Sequence, residues 1–211
     1  MLGFIKKDLF MIKANLKTFL IIFALYLILA IQGMFDVIFV IPLIGIMLFI
    51  TTFSYDDYNN WNAYVATIPN GRKNAVRAKY IISTILMIIL GILSFGMDVF
   101  KNYYVMDAFS IEASISGVLG IVLSIVIIIS ILYPIMFKFG STKGRVILFV
   151  VVFGLAAIIG LVANANTISL NTGEVLELLE KYEYIAIPVV SVILLTISYL
   201  ISSKIYKNKE F

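Results

Sequence analysis

Six stretches of this chain, 18–35, 37–53, 80–97, 114–137, 146–163 and 184–203, contain no Asp, Glu, Lys or Arg. Each is at least 17 residues long, which as a helix is enough to cross the hydrocarbon of a bilayer. Backbone polar groups cannot be left bare in lipid, so such segments fold as helices that bond internally. Composition agrees: 62% of the 211 residues are hydrophobic, 13% are charged, and the mean hydropathy is +1.08. No soluble globule of that length has an interior large enough to hide so much apolar surface. The expected fold class is all-α, a polytopic membrane protein forming a single transmembrane domain over 1–211. It has an N-terminal interfacial helix (2–17), the six spans, a short helix over 54–70, and a short outer helix before the last span.

The connecting segments carry their own signals. Leu2, Ile5, Leu9, Ile12 and Leu16 recur three or four apart, with Lys6, Lys13 and Lys17 on another face. This reads as an amphipathic helix in the headgroup layer, basic side toward anionic membrane lipid; the plainer alternative is the beginning of the first span. Gln32-Gly33 and Asp36 mark a tight outer turn, and Pro42 with Gly45 predicts a kink. Asp98–Ser110 is expected as an outer loop with Tyr103 and Tyr104 at the interface. Ser116 with Gly120, and Ala156 with Gly160, are small pairs that admit a second helix. Tyr133-Pro134 suggests a bend, and Lys138, Lys143 and Arg145 form a short inner loop with Gly140 and Gly144. In 164–183, Asn171 and Glu174 suit an N-cap, Val175, Leu178, Leu179 and Tyr182 share a face, and Glu177 can pair with Lys181.

Charge orients this arrangement. Fourteen of the sixteen basic residues fall on one side of the six-span scheme, and only Lys101 and Lys181 fall on the other. Positive residues collect on the cytoplasmic side, so both termini are expected inside a multi-pass plasma-membrane protein. The net charge of +4 then belongs to topology and not to nucleic acid. No small-x-small site near Ala30 follows the first apolar run, so no cleavable signal is expected.

The longest polar interruption is Ser54–Tyr80, SYDDYNNWNAYVATIPNGRKNAVRAKY. Ser54 and Asp57 have a capping spacing, and Asp56 and Asp57 suit a helix N-terminus. Tyr58, Trp61, Val65 and Ile68 recur as one aromatic-apolar stripe, and Pro69-Asn70-Gly71 ends the helix in a turn. Arg72, Lys73, Arg77 and Lys79 then lead into the third span. Such a short helix pinned between spans suits docking by a separate protein, with Tyr55, Asp56, Asp57, Tyr58, Trp61 and Asn62 as the contact residues. Interfacial Trp and Tyr also anchor membrane helices with no partner, and the basic residues also serve topology alone.

With no Cys and no His, thiol or histidine catalysis, cysteine-ligated metal and disulfides are excluded. Carboxylates or an activated Ser at depth, needed by an intramembrane enzyme, are not evident in the spans. No catalytic, metal or cofactor-binding residue is expected. The spans hold no acid or base of the kind that carries a coupling ion, and no G-x-x-x-x-G-K-[ST] occurs. If the protein transports, its work comes from a separate ATPase that pushes on the 54–80 loop.

Phe53-Ser54-Tyr55-Asp56, Trp61-Asn62-Ala63-Tyr64, Ile68-Pro69, Arg72-Lys73 and Lys79-Tyr80-Ile81 resemble the signature loop of small type-2 ATP-binding-cassette permeases. In character the chain is most similar to the branch that includes permeases exporting phenol-soluble modulins from Gram-positive bacteria. The resemblance is sharp over 53–81 and rests on architecture elsewhere; Asn70-Gly71 departs from the pair usual after the proline. It implies two permeases, identical or different, with two ABC ATPase subunits that hold the ATP and Mg. The 54–70 helix would then be the coupling helix, and amphipathic or antimicrobial peptides the substrate. A self-immunity permease against bacteriocins has the same signature, and a structural membrane partner without transport is the remaining alternative.

Overall fold

The computed structural model describes residues 1–31, 37–104, 111–164 and 172–209. These residues form six helices: α1 (Leu2–Ile31), α2 (Val37–Tyr58), α3 (Trp61–Thr67), α4 (Gly71–Tyr104), α5 (Ile111–Asn164) and α6 (Thr172–Lys207). No strand occurs among the described residues. Among the described residues, Gly71–Val99, Ser114–Val151 and Tyr184–Lys207 are long and apolar enough to cross a membrane. The expected turn at Gln32, Gly33 and Asp36, and Asn171 as a cap, lie outside the described residues.

Several expected joints are absent. α1 runs unbroken from Leu2 to Ile31, with no discontinuity at residues 17–18. Its expected apolar stripe divides: Ile5 and Ile12, with Phe4, pack on the core, while Leu2, Leu9 and Leu16 are exposed. α4 begins at Gly71, well before Tyr80, and stays helical past Asp98 to Tyr104. α6 joins the expected outer helix and last span into one rod with Pro188 inside it. In each case strong helix-forming residues continue across the polar boundary, and a change from lipid to water does not itself end a helix.

α5 contains a sharp reversal. Gly140 has φ +77°, a left-handed backbone that a side chain disfavours. A Cβ placed on Gly144 would lie 3.4 Å from the Met136 Cα. Residues eight apart in a straight helix are about 12 Å apart, so the chain has folded back. The expected inner loop over 138–145 is therefore an elbow at a single residue.

α5 packs against α6, α2 and α4, while α1 lies on α2 and α4. Lipid tails are as apolar as leucine, so close packing and hydrogen bonds must hold the bundle together. At the end where α3 sits, rings supply the packing. Phe49, Phe53, Tyr80 and Phe137 meet the buried Tyr133 edge-on at 5.0–6.4 Å, and Tyr206 leans on Phe137 at 5.0 Å. Hydroxyls add cross-links: Tyr80 bonds Ser198 at 2.6 Å and Ser202 at 2.9 Å, and Ser198 donates to the Ser130 carbonyl at 3.0 Å. Ser83, Thr84, Ser124 and Thr196 instead bond the backbone of their own helix. A Cβ placed on Gly120 would meet no described residue within 4 Å.

Candidate functional site

α2 does not stop where the polar loop begins. It carries Ser54, Tyr55, Asp56, Asp57 and Tyr58 as its own last turns. Ser54 consequently donates back to the Ile50 carbonyl at 2.8 Å and caps nothing. Asn60, with φ 51°, makes the corner into α3. That corner breaks the expected stripe: Val65 is fully buried, while Tyr58 is 85% exposed.

Continuing α2 by these two turns turns Asp56 inward. Its carboxylate meets the ammonium groups of Lys7 on α1 and Lys79 on α4, the latter at 2.8 Å. Asp8 of α1 accepts from the same two lysines, at 2.9 Å from Lys7 and 3.1 Å from Lys79. The result is a ring of four alternating charges with no net charge. Asp8 is 2% exposed, Asp56 4% and Lys79 5%. Aromatic faces complete the enclosure, with Lys7 4.6 Å from the Trp61 ring centroid and Lys79 4.8 Å from that of Phe53. Phe4 meets Trp61 edge-on at 5.8 Å. Burial of charge is tolerated here because every charge has two opposite partners.

Asp57 faces the other way and holds the elbow. Its Oδ2 accepts from the Ser141 N–H, and its Oδ1 accepts from the Asn62 amide at 2.9 Å. This is an N-cap supplied by a different helix: the limb after Gly140 starts with bare N–H groups, and a carboxylate suits them. Asn62 in turn accepts from the Tyr206 hydroxyl at 2.8 Å, which ties α3 to α6. Arg145 donates to the Ser54 hydroxyl at 2.9 Å, and Lys209 to the Phe137 carbonyl at 2.9 Å. Burial pushes the Lys209 ammonium below the ordinary lysine range, opposed by the charge of Asp57.

The six expected contact residues thus divide by role. Asp56, Asp57, Trp61 and Asn62 look inward and fasten the α2–α3 corner to α1, α4, α5 and α6. Tyr55, 37% exposed, reaches toward Asn15 at 3.4 Å. Tyr58 stands clear, and with Tyr64 (57% exposed) it presents aromatic surface to solvent. Beside them an open cleft of about 660 Å³ is lined by Tyr55, Tyr58, Thr142 and Arg145. The corner is an aromatic-tipped projection whose base bonds to α1, α4, α5 and α6.

Sequence reasoning assigned no role to Asp8 and read Lys79 as a topology charge and as part of the signature loop. A signal was present: Asp8 is the one acid in residues 1–35, on the same helix face as Phe4 and Ile12. Tyr206, which lies among Lys204, Lys207 and Lys209, was also missed.

Residues 3–207 match the family described as ABC-2 family transporter protein. No curated protein and no solved structure is detectably similar to the chain.

Proposed function

Because the chain belongs to the ABC-2 family of transporter proteins, we propose that it is the membrane-spanning permease subunit of an ATP-driven exporter. The family implies an ABC ATPase as partner. In this reading the ATPase seats against Tyr58, Tyr64 and the cleft beside them, and the α2–α3 corner acts as the coupling element. The observation that carries it is the division of roles: one exposed aromatic tip on a base bonded to α1, α4, α5 and α6. A push on such a tip moves helices together, whereas a loop on flexible stems would absorb it. The six-span scheme with both termini cytoplasmic puts this tip in the cytosol, where an ATPase works. The peptide substrate, the kinship with phenol-soluble-modulin exporters and the pairing of two permeases rest on the resemblance over residues 53–81.

The test is co-purification. A double variant Tyr58→Ala/Tyr64→Ala removes two exposed rings, of which Tyr64 meets the half-buried Trp61 at 5.2 Å, so only a small fall in melting temperature is expected. Loss of an aromatic anchor at an interface costs 2 kcal/mol or more, about 30-fold in affinity. The ATPase recovered with the permease from native membranes should fall accordingly. Full recovery of the ATPase with the double variant would defeat the proposal.

A further inference from the structure

Two clefts lie end to end along the seam between α4 and α6. The first, about 410 Å³, is lined by Asn70, Arg72, Lys73, Ser203 and Lys207. The second, about 360 Å³, is lined by Ile81, Ile85 and Leu195 together with the hydroxyls of Thr84, Thr196 and Tyr199. The residues succeed one another at helical spacing. On α4, Lys73, Arg77, Ile81 and Ile85 are each four apart, and on α6 Lys207, Ser203, Tyr199 and Leu195 run the opposite way. Arg77 lies on α4 between Lys73 of the first cleft and Ile81 of the second, and it donates its Nε to the Tyr199 hydroxyl at 3.2 Å. Arg72 donates to the Lys207 carbonyl at 2.6 Å and so closes the bottom of the charged cleft.

Neither cleft is lined by an acid, whereas the ring on the other side of α4 pairs its two lysines with two acids. The charged end therefore presents Lys73, Arg77 and Lys207, three exposed cations, with nothing of opposite sign among its lining. Beyond Arg77 the lane turns apolar, continuing over Ile85, Ile88 and Ile92 on α4 and Val192 on α6, all at least 43% exposed. From Arg77 to Ile88 is eleven residues, about 16 Å of helix, and half of a ~30 Å hydrocarbon core is about 15 Å. The lane has the length and polarity of one leaflet's acyl chain below a headgroup.

We propose that the α4–α6 seam is a binding site for an anionic diacyl phospholipid. Its phosphate is held by Lys73, Arg77 and Lys207, and one acyl chain lies along Ile81, Ile85 and Leu195. Charge complementarity selects this occupant: a zwitterionic lipid would bring its own cation to a cationic pocket. The site lies on the far face of α4 from the four-charge ring, so its occupancy bears on the packing of the α4 start without touching the docking tip.

The experiment uses the full-length protein in neutral detergent and counts retained lipid by native mass spectrometry. Phosphatidylglycerol and phosphatidylcholine of matched chains are the probes, with free glycerol 3-phosphate as a soluble competitor. Each membrane-proximal cation contributes about fivefold to binding of an anionic lipid. Lys73→Gln/Arg77→Gln should therefore lower the preference for phosphatidylglycerol about 25-fold, and Lys73→Arg/Arg77→Lys should keep it. Lys138→Gln/Lys143→Gln, which removes the same charge from α5, should leave it intact. Equal retention of the two lipids by the parent protein overturns the proposal, as does an equal loss in the α5 double variant. Displacement by millimolar glycerol 3-phosphate overturns the lipid assignment, because it would mark a site for the phosphate group alone.

Discussion

Replacing Lys79 by methionine tests whether the four-charge ring holds the base of the projection together. The substitution keeps the length and apolar stem but deletes an ammonium that lies 2.8 Å from Asp56 and 3.1 Å from Asp8. Two carboxylates are then left facing Lys7 alone, and the enclosure carries one uncompensated negative charge. Removing one partner from a buried ionic group costs about 3–5 kcal/mol. For a chain of this size each kcal/mol moves the melting temperature by about 2–4 °C, so Lys79→Met should melt roughly 10 °C below the parent in detergent. Trp61 is the chain's one tryptophan and sits against Lys7, so its fluorescence reports melting from beside the ring. Adding Asp8→Asn restores neutrality and should recover at least half of the loss. Because the group is enclosed, the deficit should change little between 0.1 and 1 M salt. If Lys79→Met melts within 2 °C of the parent, or if the double variant is no better than the single one, the ring is not what fastens the corner.

Other expected outcomes are more local. A Cβ on Gly71 would lie 2.3 Å from the Val65 carbonyl oxygen, so Gly71→Ala must displace α3 from α4. It should lower stability by about 1–3 kcal/mol, while Gly96→Ala, which meets nothing within 4 Å, should melt like the parent. Tyr80→Phe strands the buried Ser202 hydroxyl and removes the link to Ser198; a loss of about 1–3 kcal/mol is expected by thermal melting. For topology, Lys101 and Lys181 should react with an impermeant amine reagent in intact cells; labelling only after permeabilisation contradicts the six-span scheme.

How much of this was legible beforehand follows from what each residue depends on. The helical, membrane-embedded character is written in charge-free runs that need no knowledge of neighbours. The turn at Pro69-Asn70-Gly71 was also readable, since proline, asparagine and glycine act locally; the corner at Asn60 was not, because the apolar stripe runs straight across it in the sequence. Helix ends were not: Ser54 and Asp57 have a capping spacing, but α2 already supplied a helix for Ser54 to sit within. Asp57 does cap a helix, only it is the limb that begins at Ser141, 84 positions away. The role of Asp8 is invisible for the same reason, because its partners Lys79 and, through Lys7, Asp56 come from other helices. Periodicity along one segment says which face is apolar; it says nothing of which charge on another segment will be there to meet an acid.

The last turns of α6 have a practical consequence. The Tyr206 hydroxyl, the Lys207 carbonyl and the Lys209 ammonium each grip a different partner: Asn62 on α3, Arg72 on α4 and Phe137 at the approach to the elbow. A chain cut short after Ser203 would keep every residue of the last charge-free run, and would insert and express as usual. Yet it would arrive with three cut moorings at the one place where force has to be carried. Purification handles joined at this end therefore belong beyond Lys209, on a spacer that leaves those grips undisturbed.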